Sequence, residues 1–150
     1  MWKATTDEAK RKRIDAVYRR SRRAFPEVGE MTVEELKEKL EDEDLVIVDV
    51  RRPDEQAVSM IVGAITAEQF ERDQEAYDGA TVVAYCTVGH RSGLYAQELA
   101  RRGWNALNLK GAILSWTHVE GALEDENGPT RRVHIWSPPV LIAEGYEPVW

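Results

Sequence analysis

Three short apolar runs decide what this chain can fold into: "DLVIVDV" (Asp44 to Val50), "ATVVAY" (Ala80 to Tyr85) and "WNALNL" (Trp104 to Leu109). The first two are β-branched and continuously apolar, which suits strands buried on both faces. Helical patterns separate the runs. Thr32 and Glu35 form a capping box ahead of "VEELKEKL", predicting a helix of about ten residues. After "RRPDE" an irregular stretch containing "IVGAI" (Ile61 to Ile65) leads into a helix through "AEQFERDQEAY", closed by Asp78-Gly79. From Ser92, the spacing of Leu94, Leu99 and Ala100 predicts a helix that stops at Gly103. Strands alternating with helices build an open parallel sheet with right-handed crossovers, an α/β fold.

With 150 residues, 43% of them hydrophobic, the chain can bury one domain-sized core. Its single cysteine excludes an internal disulfide framework and a Cys-rich metal site, and no apolar stretch has the length of a membrane span. The first residues lack the apolar core of a secretory signal, and Asp7, Glu8 and Asp15 are foreign to organelle transit peptides, so a cytoplasmic location is expected. Charge is unevenly spread. Residues 1–24 carry 9 Lys and Arg against 3 acids, leaving 11 against 24 for residues 25–150. Ile14, Val17 and Tyr18 make a narrow apolar stripe between "KRKR" and "RRSRR", with no aromatic residues interleaved for base stacking. That pattern favours a helix docked on the acidic body or on a second copy of the chain, a homodimer, over nucleic acid or a membrane. Beyond His118, "EDENGPTRRVHIW" combines a turn signal with an alternating run and reads as a small hairpin, after which "SPP" imposes an extended path to Trp150. Packing is the simpler role for His134, Trp136 and Trp150. His118, His134 and Cys86 are too scattered for a zinc pattern, so no metal is expected, nor any cofactor.

Chemistry concentrates where the second strand ends. In an open parallel sheet, ligands collect beyond the carboxyl ends of the strands, and the segment from Cys86 to Arg91 lies there, ahead of a helix. A thiol at that place meets unpaired backbone N–H groups and the positive end of a helix dipole, which favour thiolate over thiol. Arg91 and a protonated His90 act in the same sense. Gly89 allows the loop to curl its amides toward one point, forming an anion nest. Thr87 can donate one hydroxyl bond, and Val88 forms a wall. Packing explains a cysteine ending a strand, but not the Gly and Arg at these spacings, so a solvent-reachable, anionic sulfur is the expectation.

The loop Cys86, Thr87, Val88, Gly89, His90, Arg91 matches Cys-x-x-Gly-x-Arg, and the chain resembles the rhodanese-like sulfurtransferase family in its single-domain form. Further matching segments are "VIVDVRRPDE" (Val46 to Glu55), "GAI" (Gly63 to Ile65) and "LKGAILSW" (Leu109 to Trp116). The resemblance implies an open parallel sheet of about five strands with helices on both faces over residues 31–118. Residues 1–30 then form a basic helical extension, and residues 119–150 a hairpin-like extension packed on the domain.

By the same resemblance, the Cys86 thiolate takes sulfane sulfur from thiosulfate or a persulfide and passes it to a thiol, cyanide or a protein acceptor. Thr87, Val88, Gly89, His90 and Arg91 would bind the substrate; Asp49, Arg51 and Ser92 would stand behind them, bracing the loop. Two departures qualify this. Ser59-Met60 stands where the family often has Gly-His, and Thr87 and Val88 replace polar or basic loop residues, which weakens attraction for a divalent anion. Two other readings remain: a non-catalytic or sulfur-carrier module that binds a partner protein, and a cysteine phosphatase, disfavoured because four residues rather than five separate Cys86 from Arg91.

Overall fold

The computed structural model describes residues 6–150. Helix α1 (Asp7–Arg22) leads to strand β1 (Gly29–Met31), helix α2 (Val33–Glu38), β2 (Leu45–Asp49) and α3 (Pro53–Val58). Two-residue strands β3 (Met60–Ile61) and β4 (Ile65–Thr66) precede α4 (Ala67–Arg72) and a 3₁₀ turn (Gln74–Tyr77). Then come β5 (Thr81–Tyr85), α5 (His90–Arg101), β6 (Asn105–Leu109) and α6 (Ala112–Thr117), and finally β7 (Leu123–Asp125), β8 (Gly128–Thr130), β9 (Arg132–His134) and β10 (Glu147–Val149).

The three apolar runs form the middle of a five-stranded sheet in the order β1-β6-β5-β2-β4, every pairing parallel. Side-chain alternation divides the interior in two. Ile47, Val83 and Tyr85 point into a cluster with Leu36, Ile113 and Trp116, whereas Val46, Val48, Val82 and Ala84 join Phe70, Ala96 and Leu99 on the other face. Helices therefore cover both faces, which is why these strands are apolar throughout. Among the described residues, no helix is long and apolar enough to cross a membrane.

Several boundaries differ from those expected. Thr32 and Glu35 do make the capping box, but α2 has six residues, because the acidic run that follows is unfavourable at a helix carboxyl end and Asp42 turns the chain by accepting from Asp44 N–H at 2.9 Å. The predicted helix over 67–77 breaks at Asp73 into α4 and the 3₁₀ turn. β1 and β4, too short to show a pattern, complete the sheet edges. The turn at Glu126-Asn127 closes a β7–β8 hairpin as expected, and β7 also pairs with β3. The alternating run beyond it does not extend the hairpin: β9 pairs in parallel with β10 instead.

Helix α1 docks on its own chain. Thr6 caps it by accepting from Ala9 N–H, Ile14 and Tyr18 are buried, and Lys10 Nζ donates to Ile142 O at 2.9 Å. Arg22 reaches Phe25 O at 2.6 Å and Glu30 at 3.3 Å. Phe25, fully buried, lies directly on the backbone of α5, where a Cβ at Gly93 would stand 2.1 Å from its ring. Gly93→Ala is therefore expected to overpack this contact and cost about 1–3 kcal/mol, read as a lower urea midpoint with an unchanged slope.

Candidate active site

β5 delivers Cys86 to the carboxyl edge of the sheet, and α5 begins at His90 rather than Ser92, so His90 and Arg91 form its first turn. Gly89 is the residue ahead of the helix, with φ +123°, a conformation closed to other residues without strain. Carbonyls and amides of the loop separate: Cys86 O and Thr87 O accept from Ile113 N–H (3.3 Å) and Leu114 N–H (3.2 Å) at the start of α6. On the opposite side, Gly89 N–H and Ser92 N–H approach Cys86 Sγ at 3.2 and 3.4 Å, and Ser92 Oγ lies 3.3 Å from it. The two N–H groups make a cup of hydrogen-bond donors around the sulfur, while the Ser92 hydroxyl spends its proton on Asn108 Oδ1 at 2.6 Å.

The same curl covers the thiol. Cys86 is 2% exposed, contrary to the expectation of a sulfur open to solvent, because the loop that aims its amides inward also closes over them. Val88 is half-buried against the cluster of Ile113 and Leu141. His90 is exposed, its ring 6.2 Å from that of Phe25.

Arg91 is not a free cation. Its guanidinium donates to both oxygens of Glu55 at 2.8 and 3.0 Å and to Thr87 Oγ1 at 3.0 Å. Glu55, fully buried, also accepts from Arg52 N–H (3.0 Å), Thr87 Oγ1 (3.3 Å) and Trp136 Nε1 (2.8 Å). Burial alone would raise its pKa, but the bonds from Arg91, from Arg52 N–H and from the indole outweigh that and hold the pKa at about 2. The bond to Glu55 in turn raises Arg91 above its ordinary value.

Asp49 and Arg51 are neither a surface pair nor in hydrogen-bond contact with the loop side chains. Both side chains are wholly inaccessible and meet at 2.7 Å. Asp49 accepts from Arg51 N–H (2.9 Å) and from the hydroxyl of Tyr85 (2.5 Å), and Arg51 Nη2 donates to Ser59 O (2.6 Å). Tyr85 immediately precedes Cys86, and its carbonyl accepts from Val50 N–H at 3.0 Å. The pair thus braces the end of β5 beneath the loop, not the loop itself.

Glu55 was within reach of sequence reasoning only as a helix-start acid in "RRPDE"; its partnership with Arg91 arises from the meeting of two strand ends. Asn108 carries no sequence signal, and Tyr18 only that of one residue in an apolar stripe. Asn108, fully buried on β6, donates Nδ2 to Gly89 O (2.9 Å) and accepts from Ser92 Oγ (2.6 Å). Trp136 is more than a packing residue: 42% exposed, with φ +72°, it bonds Glu55 and lies 4.3 Å from the Arg52 guanidinium. His134 packs edge-on against it, and Trp150 is exposed.

Comparison with known proteins places the chain. The family model described as Rhodanese-like domain matches residues 32–119. YtwF of Bacillus subtilis, assigned provisionally as a sulfurtransferase, is 31% identical over 111 residues, covering 67% of this chain and 99% of the relative. A sulfurtransferase of Allochromatium vinosum is 36% identical over 94 residues, 59% of this chain and 88% of its own. Among solved structures, thiosulfate sulfurtransferase from Pseudomonas aeruginosa matches with TM-score 0.61 at 28% identity, over 83% of this chain and 25% of that one.

Proposed function

The chain belongs to the rhodanese-like domain family, and from that premise we propose that it is a sulfurtransferase in which Cys86 carries sulfane sulfur as a persulfide. The observation that carries this reading is the cup at Sγ, in which Gly89 N–H and Ser92 N–H converge on the one thiol of the chain. In the first step the Cys86 thiolate attacks the outer sulfur of a donor R–S–S⁻, forming Cys86–S–S⁻ and releasing R–S⁻. In the second, an acceptor thiolate attacks that outer sulfur, gains it as its own persulfide and returns Cys86 to the thiolate. Two displacements replace one difficult transfer, and fixed N–H donors stabilise the anion at each stage. Because Sγ is covered, loading requires the loop to yield as the donor approaches.

Donor choice follows from charge. Glu55 neutralises Arg91, so the mouth of the loop offers a divalent inorganic anion little net attraction. An organic persulfide, of low molecular weight or on a protein, is the favoured donor over thiosulfate.

The test is direct. Incubated with glutathione persulfide, the protein should gain one sulfur by intact mass, and cyanide should release it as thiocyanate. Cys86→Ser should show neither, a loss of at least about a thousandfold in transfer. Absence of sulfur uptake by the unaltered chain, or hydrolysis of an aryl phosphate in its place, would overturn the proposal.

A further inference from the structure

Gly89 and Ser92, whose groups meet Cys86 Sγ, are both held by one amide. Asn108 Nδ2 donates to Gly89 O and Asn108 Oδ1 accepts the Ser92 hydroxyl, so the direction of that amide sets both sides of the cup. Reversed, it would set oxygen against the Gly89 carbonyl and lose the acceptor for Ser92.

What fixes the amide from its far side is Tyr18 of α1. The phenol donates to Glu30 Oε2 at 2.5 Å, and with its proton committed there its oxygen can only accept, which it does from Asn108 Nδ2 at 3.3 Å. Burial and the Glu30 carboxylate raise the Tyr18 hydroxyl above its ordinary value, so it remains a donor to Glu30 at working pH. The ring also touches the loop: a Cβ at Gly89 would stand 2.7 Å from Tyr18 Cε1. Tyr18, Glu30, Asn108 and Ser92 thus form a line from the Glu30 carboxylate on β1 to the residue whose N–H and Oγ lie against the sulfur, spanning α1, β1, β6 and α5.

We infer that Tyr18 is a positioning residue for the reacting sulfur, and that helix α1, which lies outside the family-matched residues 32–119, is a working part of the site. The inference rests on Cys86 being the sulfur carrier, and it assigns to the basic N-terminal segment a task its charge does not disclose. Supporting shells of this kind hold donors within the narrow geometry that transfer needs.

Tyr18→Phe keeps the ring against Gly89 and removes only the hydroxyl. Two measurements decide the matter: hydrogen–deuterium exchange of the segment 86–93, and steady-state transfer from glutathione persulfide to cyanide. Expected are exchange about fivefold faster in that segment alone and kcat lowered about tenfold with the donor KM within about twofold. Arg19→Ala, on the exposed face of the same helix, should match the unaltered chain in both. Unchanged loop exchange, or faster exchange with kcat retained, would overturn the inference. If the unaltered chain takes up no sulfur at all, the sulfurtransferase reading falls by that result, and loop exchange alone still decides whether Tyr18 positions the loop.

Discussion

Asp49→Ala is expected to cost the fold about 3–5 kcal/mol, a large part of the roughly 5–15 kcal/mol that stabilises an ordinary domain. Asp49 and Arg51 are both at zero side-chain exposure, so neither charge has water as an alternative partner. Removing the carboxylate leaves the guanidinium buried and uncompensated, with Arg51 Nη1 already lacking a hydrogen-bond partner among the described residues. The Tyr85 hydroxyl loses its acceptor and the Gln56 amide one of its contacts at the same time. Burial acts to lower Arg51, and its bonds to Asp49 more than reverse that, which is the same dependence seen from the cation. A urea titration followed by circular dichroism would show the midpoint falling. The control is the pair Asp49→Leu and Arg51→Met together: with no charge left behind, most of the loss should be recovered. A single-variant loss below about 1 kcal/mol, or a double variant no better than the single, would show that the pair is not the brace described here.

Glu55→Gln should alter both stability and donor choice. Held at about 2 in the folded chain against 4.5 for a free glutamate, the carboxylate contributes stability that is complete above about pH 4.5 and is lost as pH falls through 2. Allowing for the part-exposed Arg91, that contribution is about 2 kcal/mol. Unfolding midpoints measured at pH 7, 4 and 3 should fall steeply with acid for the unaltered chain and less for Glu55→Gln, which starts lower at pH 7. The same substitution leaves the Arg91 charge uncompensated beside the sulfur. Discrimination should then move toward the inorganic donor, with kcat/KM for thiosulfate relative to glutathione persulfide rising about tenfold, or ~1.4 kcal/mol. An unchanged ratio would mean that Glu55 does not set donor preference.

The two extensions acquire meaning in the same terms. Tyr18 reaches the loop from the amino-terminal side through Asn108, and Trp136 reaches it from the carboxyl-terminal side through Glu55. Both lie outside residues 32–119, so the family-matched span presents the cysteine while residues beyond it contact the loop and its partners from opposite flanks.

Local chemistry was sufficient for much of this. Continuous β-branched runs announced strands buried on both faces, Thr32 and Glu35 announced a helix start, and Cys86 with Gly89 and Arg91 announced an anion cup, because each depends on neighbours within a few residues. What the order of residues did not disclose was where the charges end. Arg91 was legible as a cation but not as one half of a pair, Asp49 and Arg51 as charges but not as buried ones, and Tyr18 as part of a stripe but not as a neighbour of Gly89. Those facts arise only when β2, β5 and β6 bring their carboxyl ends together and α1 folds back across them. A hydrogen bond between residues ninety positions apart leaves no periodicity in the chain, since only the closed sheet sets the distance between its partners.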